Sequence, residues 1–159
     1  MNSFERDDFW LLRLTVRMRV HMYDVLTDED LSYRLPGSNV TLGELCREVI
    51  EVQQDYLESF KTQKLEFKPN SAPAELATSI AAIKARTDVL DALVEEVLAN
   101  LKDEEIEGMI IERAHGWKIP IKLNYQFYRE ALLIFFAKVS LYLKAMDKPL
   151  NHQWIDWMG

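Results

Sequence analysis

The feature that most constrains this chain is the helical spacing of its apolar side chains, which runs through four long segments. Apolar residues recur every three or four positions from about Phe4 to Leu26, Thr41 to Phe60, Pro73 to Leu101 and Pro120 to Met146. This spacing places them on one face of an α-helix, whereas a strand needs an alternation that we do not find. Only 5 Gly and 5 Pro interrupt the 159 residues. The sequence therefore predicts an all-α fold, a four-helix bundle.

Capping and breaking residues define the ends of the predicted helices. Thr41 and Glu44 have the spacing of a capping box, which begins the second helix. Pro149 follows the fourth helix and prevents its continuation. The connection between the third and fourth helices is long, and we expect a short helix near residues 104–111 followed by a loop that contains His115. Because no linker divides the chain, residues 1–159 are expected to form a single domain.

Charge and composition argue against several classes of protein. Acidic residues number 26 and basic residues 19, and the resulting net charge of −7 opposes binding to nucleic acid or to an anionic membrane. No apolar segment approaches the ~20 residues of a membrane span. The N-terminal segment lacks the pattern of a signal peptide, and one cysteine cannot form an internal disulfide. We therefore expect a cytoplasmic protein with no nucleic-acid or membrane partner.

The first predicted helix is apolar on two sides. One stripe holds Phe9, Leu12, Val16, Val20, Tyr23 and Leu26, and the other holds Leu11, Leu14, Met18, Met22 and Val25. Either the chain's own loops and tail cover the second stripe or a second copy does. The tail, residues 154–158, contains two tryptophans and is also expected to pack on the bundle or on a partner. We predict a homodimer.

Three segments, taken in order, resemble the DinB-like family. They are LTDEDLSYRLPG at residues 26–37, TLGEL at residues 41–45 and YLKAMDKPL at residues 142–150. Their order and spacing suit the whole chain. The resemblance implies a bundle whose centre binds a divalent metal, often zinc or nickel, through one histidine of the second helix and an H-x-x-x-H pair of the fourth. Members include metal-dependent hydrolases and thiol transferases, and many have no known activity.

The metal positions that the resemblance implies are occupied here by residues unsuited to an ion. The position on the second helix matches Glu48, and those on the fourth helix, counted back from residues 142–144, match Ala131 and Phe135. Alanine and phenylalanine cannot bind a metal, and one carboxylate does not make a site. We therefore expect no bound metal and no other cofactor.

The remaining histidines and the cysteine offer little chemistry. No two of His21, His115 and His152 have the spacing of metal ligands. His115 is the best functional candidate among them, because its loop can close one end of the bundle. Cys46 lies beside apolar residues of the second helix and is expected to be a buried, inert thiol.

Charged residues on inward-facing stripes are the other candidates for a site. Arg19, Glu48 and Lys138 each lie between apolar neighbours at helical spacing. Because a buried charge needs a partner, one hypothesis is that Glu48 pairs with Arg19 or Lys138 in place of the ion. The alternative is that Glu48 lies at a wet edge and that both cations extend to water. Five further side chains complete a candidate pocket lining: Tyr23, Tyr56, Asn124, Tyr128 and Tyr142.

These observations favour a DinB-like bundle without a metal, non-catalytic or cryptic, that binds a small molecule or a second copy of itself. One alternative is a metal-dependent hydrolase or thiol transferase with an altered metal site. Another is an interaction module that acts through the first helix and the aromatic tail. Whether the protein is an enzyme is left open by the sequence.

Overall fold

The computed structural model describes all 159 residues, and most of them are helical. The α-helices are α1 (Phe9–Val16), α2 (Met18–Val25), α3 (Leu42–Thr62), α4 (Ile80–Ala99), α5 (Asp103–Gly108), α6 (Ile121–Ala145) and α7 (His152–Met158). A small antiparallel sheet of two strands, β1 (Ile110–Glu112) and β2 (Lys118–Pro120), precedes α6. None of the helices combines the length and the apolar character that crossing a bilayer requires.

The first predicted helix is present, but it is divided. A π-helical turn at Phe4–Asp8 leads into α1, and Arg17 separates α1 from α2 with its backbone still helical. The predicted inward position of Val20 is wrong, because this side chain is 58% exposed. Beyond the division the buried residues of α2 are Met18, Arg19 and Met22. The buried residues Leu12, Thr15, Arg19 and Met22 are nevertheless spaced three or four apart, so one buried face continues through Arg17 and Val20 lies off it.

The capping box at the start of α3 confirms the sequence prediction. The Glu44 backbone N–H donates to Thr41 Oγ1 at 3.1 Å, and the Thr41 backbone N–H donates to Glu44 Oε2 at 2.7 Å. Two otherwise unpaired backbone donors are thereby satisfied at the helix N-terminus. The helix ends where Gln63 adopts a left-handed conformation, with φ of 61°. It packs against α4 and α6 and so lies at the middle of the structure.

The third predicted helix begins later than the pattern indicated. Its first turn is a separate 3₁₀ turn at Ala74–Ala77, and α4 begins only at Ile80. The cause is Ser79, whose extended backbone interrupts the helix and whose side chain accepts a hydrogen bond from the Ala82 N–H. The 3₁₀ turn packs against the first turn of α3, where Gly43 is buried.

The expectation that the chain contains no strand is wrong. Residues 110–112 and 118–120 pair in antiparallel register, with Ile111 opposite Ile119, and both of these isoleucines are buried. The predicted helix over residues 104–111 accordingly ends at Gly108. Each strand has only three residues, which is too short for an alternating pattern to be recognised. His115 and Gly116 turn the chain between the strands, each with a positive φ.

The C-terminal segment folds back onto the chain itself. Trp154 of α7 is fully buried, and its indole N–H donates to the backbone oxygen of Met18 at 3.1 Å. Its ring also lies edge-on to Phe136 of α6, with the ring centres 5.6 Å apart. The tail therefore covers part of the second apolar stripe of the first helical segment. It joins a core of 35 buried apolar residues, and a single domain stays the prediction for the chain.

Gly43 should be intolerant of any side chain, because a Cβ at this position would overlap the backbone carbonyl of Ala77. We expect Gly43→Ala to lower the free energy of unfolding by at least about 2 kcal/mol, since rigid backbone on the 3₁₀ turn would have to move. Gly108→Ala is the matched control, because nothing lies within 4 Å of its added methyl group. Urea denaturation measures both variants, and an equal, small effect would contradict this close packing.

Candidate functional site

The three positions that the DinB-like resemblance assigns to metal ligands lie around one cleft between α3 and α6. The cleft has a volume of about 170 Å³. Its lining consists of Leu45, Glu48, Val49 and Val52 from α3 and Ala131, Ile134, Phe135 and Lys138 from α6. Residues three or four apart on a helix share a face, so each helix presents one continuous row to the other. Glu48, Ala131 and Phe135 are thus neighbours, although they are far apart in sequence.

The charged groups of this cleft lie at its opening. Glu48 and Lys138 are both exposed, which agrees with the alternative that Glu48 lies at a wet edge and Lys138 extends to water. Their assignment to inward-facing stripes is therefore wrong, whereas Arg19 is buried and does not extend to water. Neither Glu48 nor Lys138 forms an ion pair or a hydrogen bond within the chain, and the hypothesised pairing of Glu48 with Arg19 or Lys138 is therefore absent. The cleft therefore has an apolar floor, and two charged side chains of opposite sign lie at its rim without a partner. We call this the Glu48 cleft.

The donor atoms of the Glu48 cleft do not fit the divalent metal that the resemblance implies. Ala131 and Phe135 have no side-chain donor, which leaves the Glu48 carboxylate alone at the three positions. Nowhere in the chain do three or more His, Cys, Asp or Glu residues lie in an arrangement able to hold a metal ion. Structural and catalytic zinc sites need at least three protein ligands, so this set is insufficient.

A second cavity of about 290 Å³ adjoins the cleft and shares Glu48 and Val52 with it. Its other carboxylates are engaged in holding the connector between α3 and α4. Glu51 accepts hydrogen bonds from the backbone N–H groups of Asn70 and Ala72, and Asp55 accepts one from that of Lys68. Burial raises the pKa of Asp55 above its usual range. Glu48 is therefore the acidic group of this region that is free to meet a ligand.

Arg19 does not reach the cleft but lies in a buried polar network that joins four helices. Its guanidinium donates to Asp91 Oδ2 of α4 at 2.6 Å and to Gln53 Oε1 of α3. The Gln53 amide in turn donates to Asp91 Oδ1 at 3.0 Å and to the Tyr128 hydroxyl of α6 at 2.8 Å. Arg19 is only 3% exposed, whereas the Asp91 side chain is 25% exposed, so water reaches the ion pair from the Asp91 side. We call these four residues the Arg19 network.

Burial disfavours ionisation of two tyrosines, Tyr128 of the network and Tyr23 beside it. Burial raises the pKa of Tyr128, and it raises the pKa of Tyr23 to about 12. The Tyr23 hydroxyl lies 2.7 Å from Thr87 Oγ1. The Nε of Arg19 is buried without an acceptor, so the guanidinium is held by its hydrogen bonds to Asp91 and Gln53.

The structure does not bring the candidate pocket residues into one cavity. Arg19, Tyr23 and Tyr128 belong to the network region, whereas Tyr56 and Asn124 contact Arg113 near the sheet. The Tyr142 hydroxyl donates to the backbone oxygen of Val40 at 2.6 Å. Lys138 lies at the Glu48 cleft. A shared helix face was the basis of the prediction, but these residues lie at different heights along their helices.

The three histidines and the cysteine lie in different parts of the structure. His21 Nε2 lies 2.7 Å from the backbone oxygen of Pro149, while His115 and His152 are exposed. Cys46 is fully buried, and burial raises the pKa of its thiol to about 12, as expected for an inert cysteine.

Three residues of these sites escaped the sequence interpretation. Gln53 lies among the buried residues of α3, and a polar residue on an otherwise apolar face was a usable signal. Asp91 lies at the edge of the apolar stripe of α4, and its sequence context does not distinguish it from an ordinary solvent-exposed acidic residue. Arg113 follows β1 in a segment without periodicity, so no pattern marked it.

Removal of Asp91 should leave the Arg19 guanidinium buried without a negative partner. We expect Asp91→Ala to lower the free energy of unfolding by about 2 kcal/mol, below the usual cost of breaking a buried pair because Asp91 is 25% exposed. Asp88→Ala is the matched control on the same helix, where an exposed pair with Lys84 should be worth less than about 0.5 kcal/mol. Equal losses in urea denaturation would contradict a structural role for the network.

Comparison of the chain with family models, with curated proteins and with solved structures finds no significant match. The resemblance to the DinB-like family therefore stays a prediction from three short segments.

Proposed function

We propose that this chain is a DinB-like four-helix bundle in which the family's metal centre is replaced by a cleft for a small organic molecule. The observation that supports this proposal most strongly is that Glu48, Ala131 and Phe135 line the same cavity, the Glu48 cleft. The resemblance alone selected these three positions. Their common location is what a DinB-like arrangement requires, while their side chains suit an apolar ligand rather than an ion.

Three features of the fold support the bundle part of the proposal. The long helical segments are α1 with α2, α3, α4 and α6, which is the number and order expected for the family. The connection from α4 to α6 is long and contains additional structure. Within the TLGEL segment, Thr41 caps α3 and Gly43 permits close packing, so these residues have definite structural roles.

The shape and chemistry of the Glu48 cleft define the proposed ligand. A cavity of about 170 Å³ has room for a group the size of a single aromatic ring. Leu45, Val49 and Phe135 supply apolar contacts, and Glu48 or Lys138 meets a charged end of opposite sign. Because both charges are exposed, each ionic contact should contribute no more than about 1 kcal/mol. We therefore propose a compact apolar molecule with a charged end, bound mainly by its apolar part.

The other expectations stay predictions. A hydrolase or transferase that depends on a metal is disfavoured by the donor set of the cleft. Homodimer formation is untested, and exposed apolar side chains available for it include Ile134 and Leu141 of α6 and Ile155 and Trp157 of α7. A cytoplasmic location and the absence of a nucleic-acid partner rest on the sequence alone.

Restoring histidine at the three positions should create a metal site if the DinB-like register is correct. The triple variant Glu48→His, Ala131→His, Phe135→His is expected to bind zinc and to gain about 3 kcal/mol of stability at a hundredfold excess over its dissociation constant. The matched control is Glu48→His, Gln126→His, Glu130→His, in which the α6 pair keeps the four-residue spacing but lies outside the cleft. Zinc titration with thermal denaturation measures both. The DinB-like register would be wrong if zinc stabilised neither variant, or if it stabilised both variants equally.

Ligand binding itself is tested with phenethylamine and 3-phenylpropionate, which share a ring and differ in charge. Both should shift backbone amide signals of residues 45–52 and 131–138 in a nitrogen–proton NMR titration at millimolar concentration. Ala131→Phe fills the cleft and should abolish these shifts for both probes. Glu48→Gln should weaken only the amine, and Lys138→Ala only the carboxylate, each by about threefold.

Glu130→Gln, on an exposed position of α6 outside the cleft, serves as the control and should change neither affinity. The proposal fails if signals of the cleft do not move, or if Ala131→Phe leaves the shifts intact.

A further inference from the structure

A larger cavity lies near the C-terminal end of α3 and the N-terminal end of α6 and shares no residue with the Glu48 cleft. Its volume is about 680 Å³, and its walls are residues 64–67 of the connector after α3 and residues 112–117 of the β1–β2 turn. This volume lies within the range of sites for small organic molecules. Among its wall residues only His115 was a candidate from the sequence, and the proposed function does not use this cavity.

Arg113 is the fixed cation in the wall of this cavity. Its guanidinium donates to Asn124 Oδ1 at 2.9 Å and to the Tyr56 hydroxyl at 3.4 Å. Asn124 is fully buried and is itself held by a hydrogen bond that it donates to Ser59 Oγ at 3.0 Å. The backbone N–H of Arg113 donates to the Trp117 oxygen at 2.7 Å and closes the turn. Backbone and side chain are therefore both positioned before any ligand arrives.

The Arg113 guanidinium has no negative partner within the chain. The three ring centres of Tyr56, Trp117 and Phe127 lie 5.2 to 5.7 Å from its central carbon. Both of its hydrogen-bond acceptors are neutral oxygens, and no carboxylate lies within ion-pair distance. Two of the five guanidinium N–H donors are used, so three remain. A half-buried guanidinium among aromatic rings, without an acid, is suited to a carboxylate from outside.

None of the other charged groups of the cavity is as well placed as Arg113 to bind a carboxylate. Lys64 and Glu66 form an exposed pair at 2.6 Å and largely cancel each other. Glu112 and His115 are exposed to water at the cavity edge. Glu112 lies outside ion-pair distance of Arg113, although it lowers the attraction for an anion at longer range.

Two aromatic side chains provide apolar surface in the same cavity. Phe67 is 52% exposed and Trp117 is 53% exposed, and both belong to the cavity wall. Each is supported from behind by another ring, Phe67 by Tyr56 and Trp117 by Phe127, with centres 5.9 Å apart in both pairs. Rings held in this way lose little conformational freedom when a planar molecule stacks on them.

We propose that the cavity between residues 64–67 and 112–117 binds a planar aromatic carboxylate, with its carboxylate on Arg113 and its ring against Trp117 and Phe67. The site is independent of the Glu48 cleft. The charge of Arg113 selects the anion, and the exposed aromatic surfaces select the flat ring.

Isothermal titration with three probes tests both parts of this assignment. The probes are 1-naphthoate, 1-naphthalenemethanol, which keeps the ring without the charge, and cyclohexanecarboxylate, which keeps the charge without a planar ring. Naphthoate should bind at least about tenfold more tightly than either of the others, because only naphthoate makes both contacts. Raised salt should weaken naphthoate but leave naphthalenemethanol nearly unchanged.

Variants identify the site and separate it from the Glu48 cleft. Arg113→Gln should weaken naphthoate about tenfold or more, and Trp117→Ala about threefold or more. Lys138→Ala removes the cation of the Glu48 cleft, and Arg17→Gln removes an exposed cation elsewhere; both should leave naphthoate binding unchanged.

The assignment is overturned if naphthalenemethanol binds as tightly as naphthoate, or if a folded Arg113→Gln protein retains full affinity. If circular dichroism shows that Arg113→Gln does not fold, the site is instead identified from backbone amide NMR signals of the protein without substitutions. Naphthoate must then shift residues 64–67 and 112–117, and shifts confined to residues 45–52 and 131–138 would refute the second site. Either result leaves the proposal for the Glu48 cleft to its own test.

Discussion

The ion pair between Arg19 and Asp91 is the interaction on which the arrangement of the long helices depends. It places a charge from α2 against α4 inside an apolar core, and Gln53 and Tyr128 extend the contact to α3 and α6. Such a pair contributes little net stability, since desolvation costs about what attraction returns. We propose that the pair instead contributes to specificity, because a helix register that separates Arg19 from Asp91 would leave the guanidinium without its negative partner.

The two proposed sites lie away from this network. Tyr128 and Phe136 are fully buried in the middle of the structure, and Arg19 and Asp91 line a separate cavity of about 350 Å³ between the first helical segment and α4. The proposed sites are the α3–α6 cleft and the cavity beside the β1–β2 turn. In both places a cation without a partner, Lys138 or Arg113, stands beside apolar or aromatic surface. Both proposed sites therefore combine a cation that has no acidic partner with apolar surface at the periphery of the structure.

The helical spacing predicted the long helical segments, whereas the positions that line the Glu48 cleft were selected by the resemblance alone. Thr41 and Glu44 predicted the start of α3 correctly, because a capping box is a local signal. The sequence pattern assigned three exposed residues to inward positions: Val20, Glu48 and Lys138. Helical periodicity identifies the side of a helix on which a residue lies, but it does not show whether the neighbouring helix covers that residue. The three-residue strands and Arg113 lie in a segment shaped by pairing and packing with distant residues, and such contacts leave no local pattern.

We propose that an organic molecule, rather than a metal ion, binds between Glu48, Ala131 and Phe135. A crystal structure of protein purified without a metal-affinity column and grown with phenethylamine tests this most directly. The account predicts density for the ring against Val49 and Phe135, with the ammonium group within hydrogen-bond distance of the Glu48 carboxylate. An ion coordinated by several protein side chains at that position would contradict it.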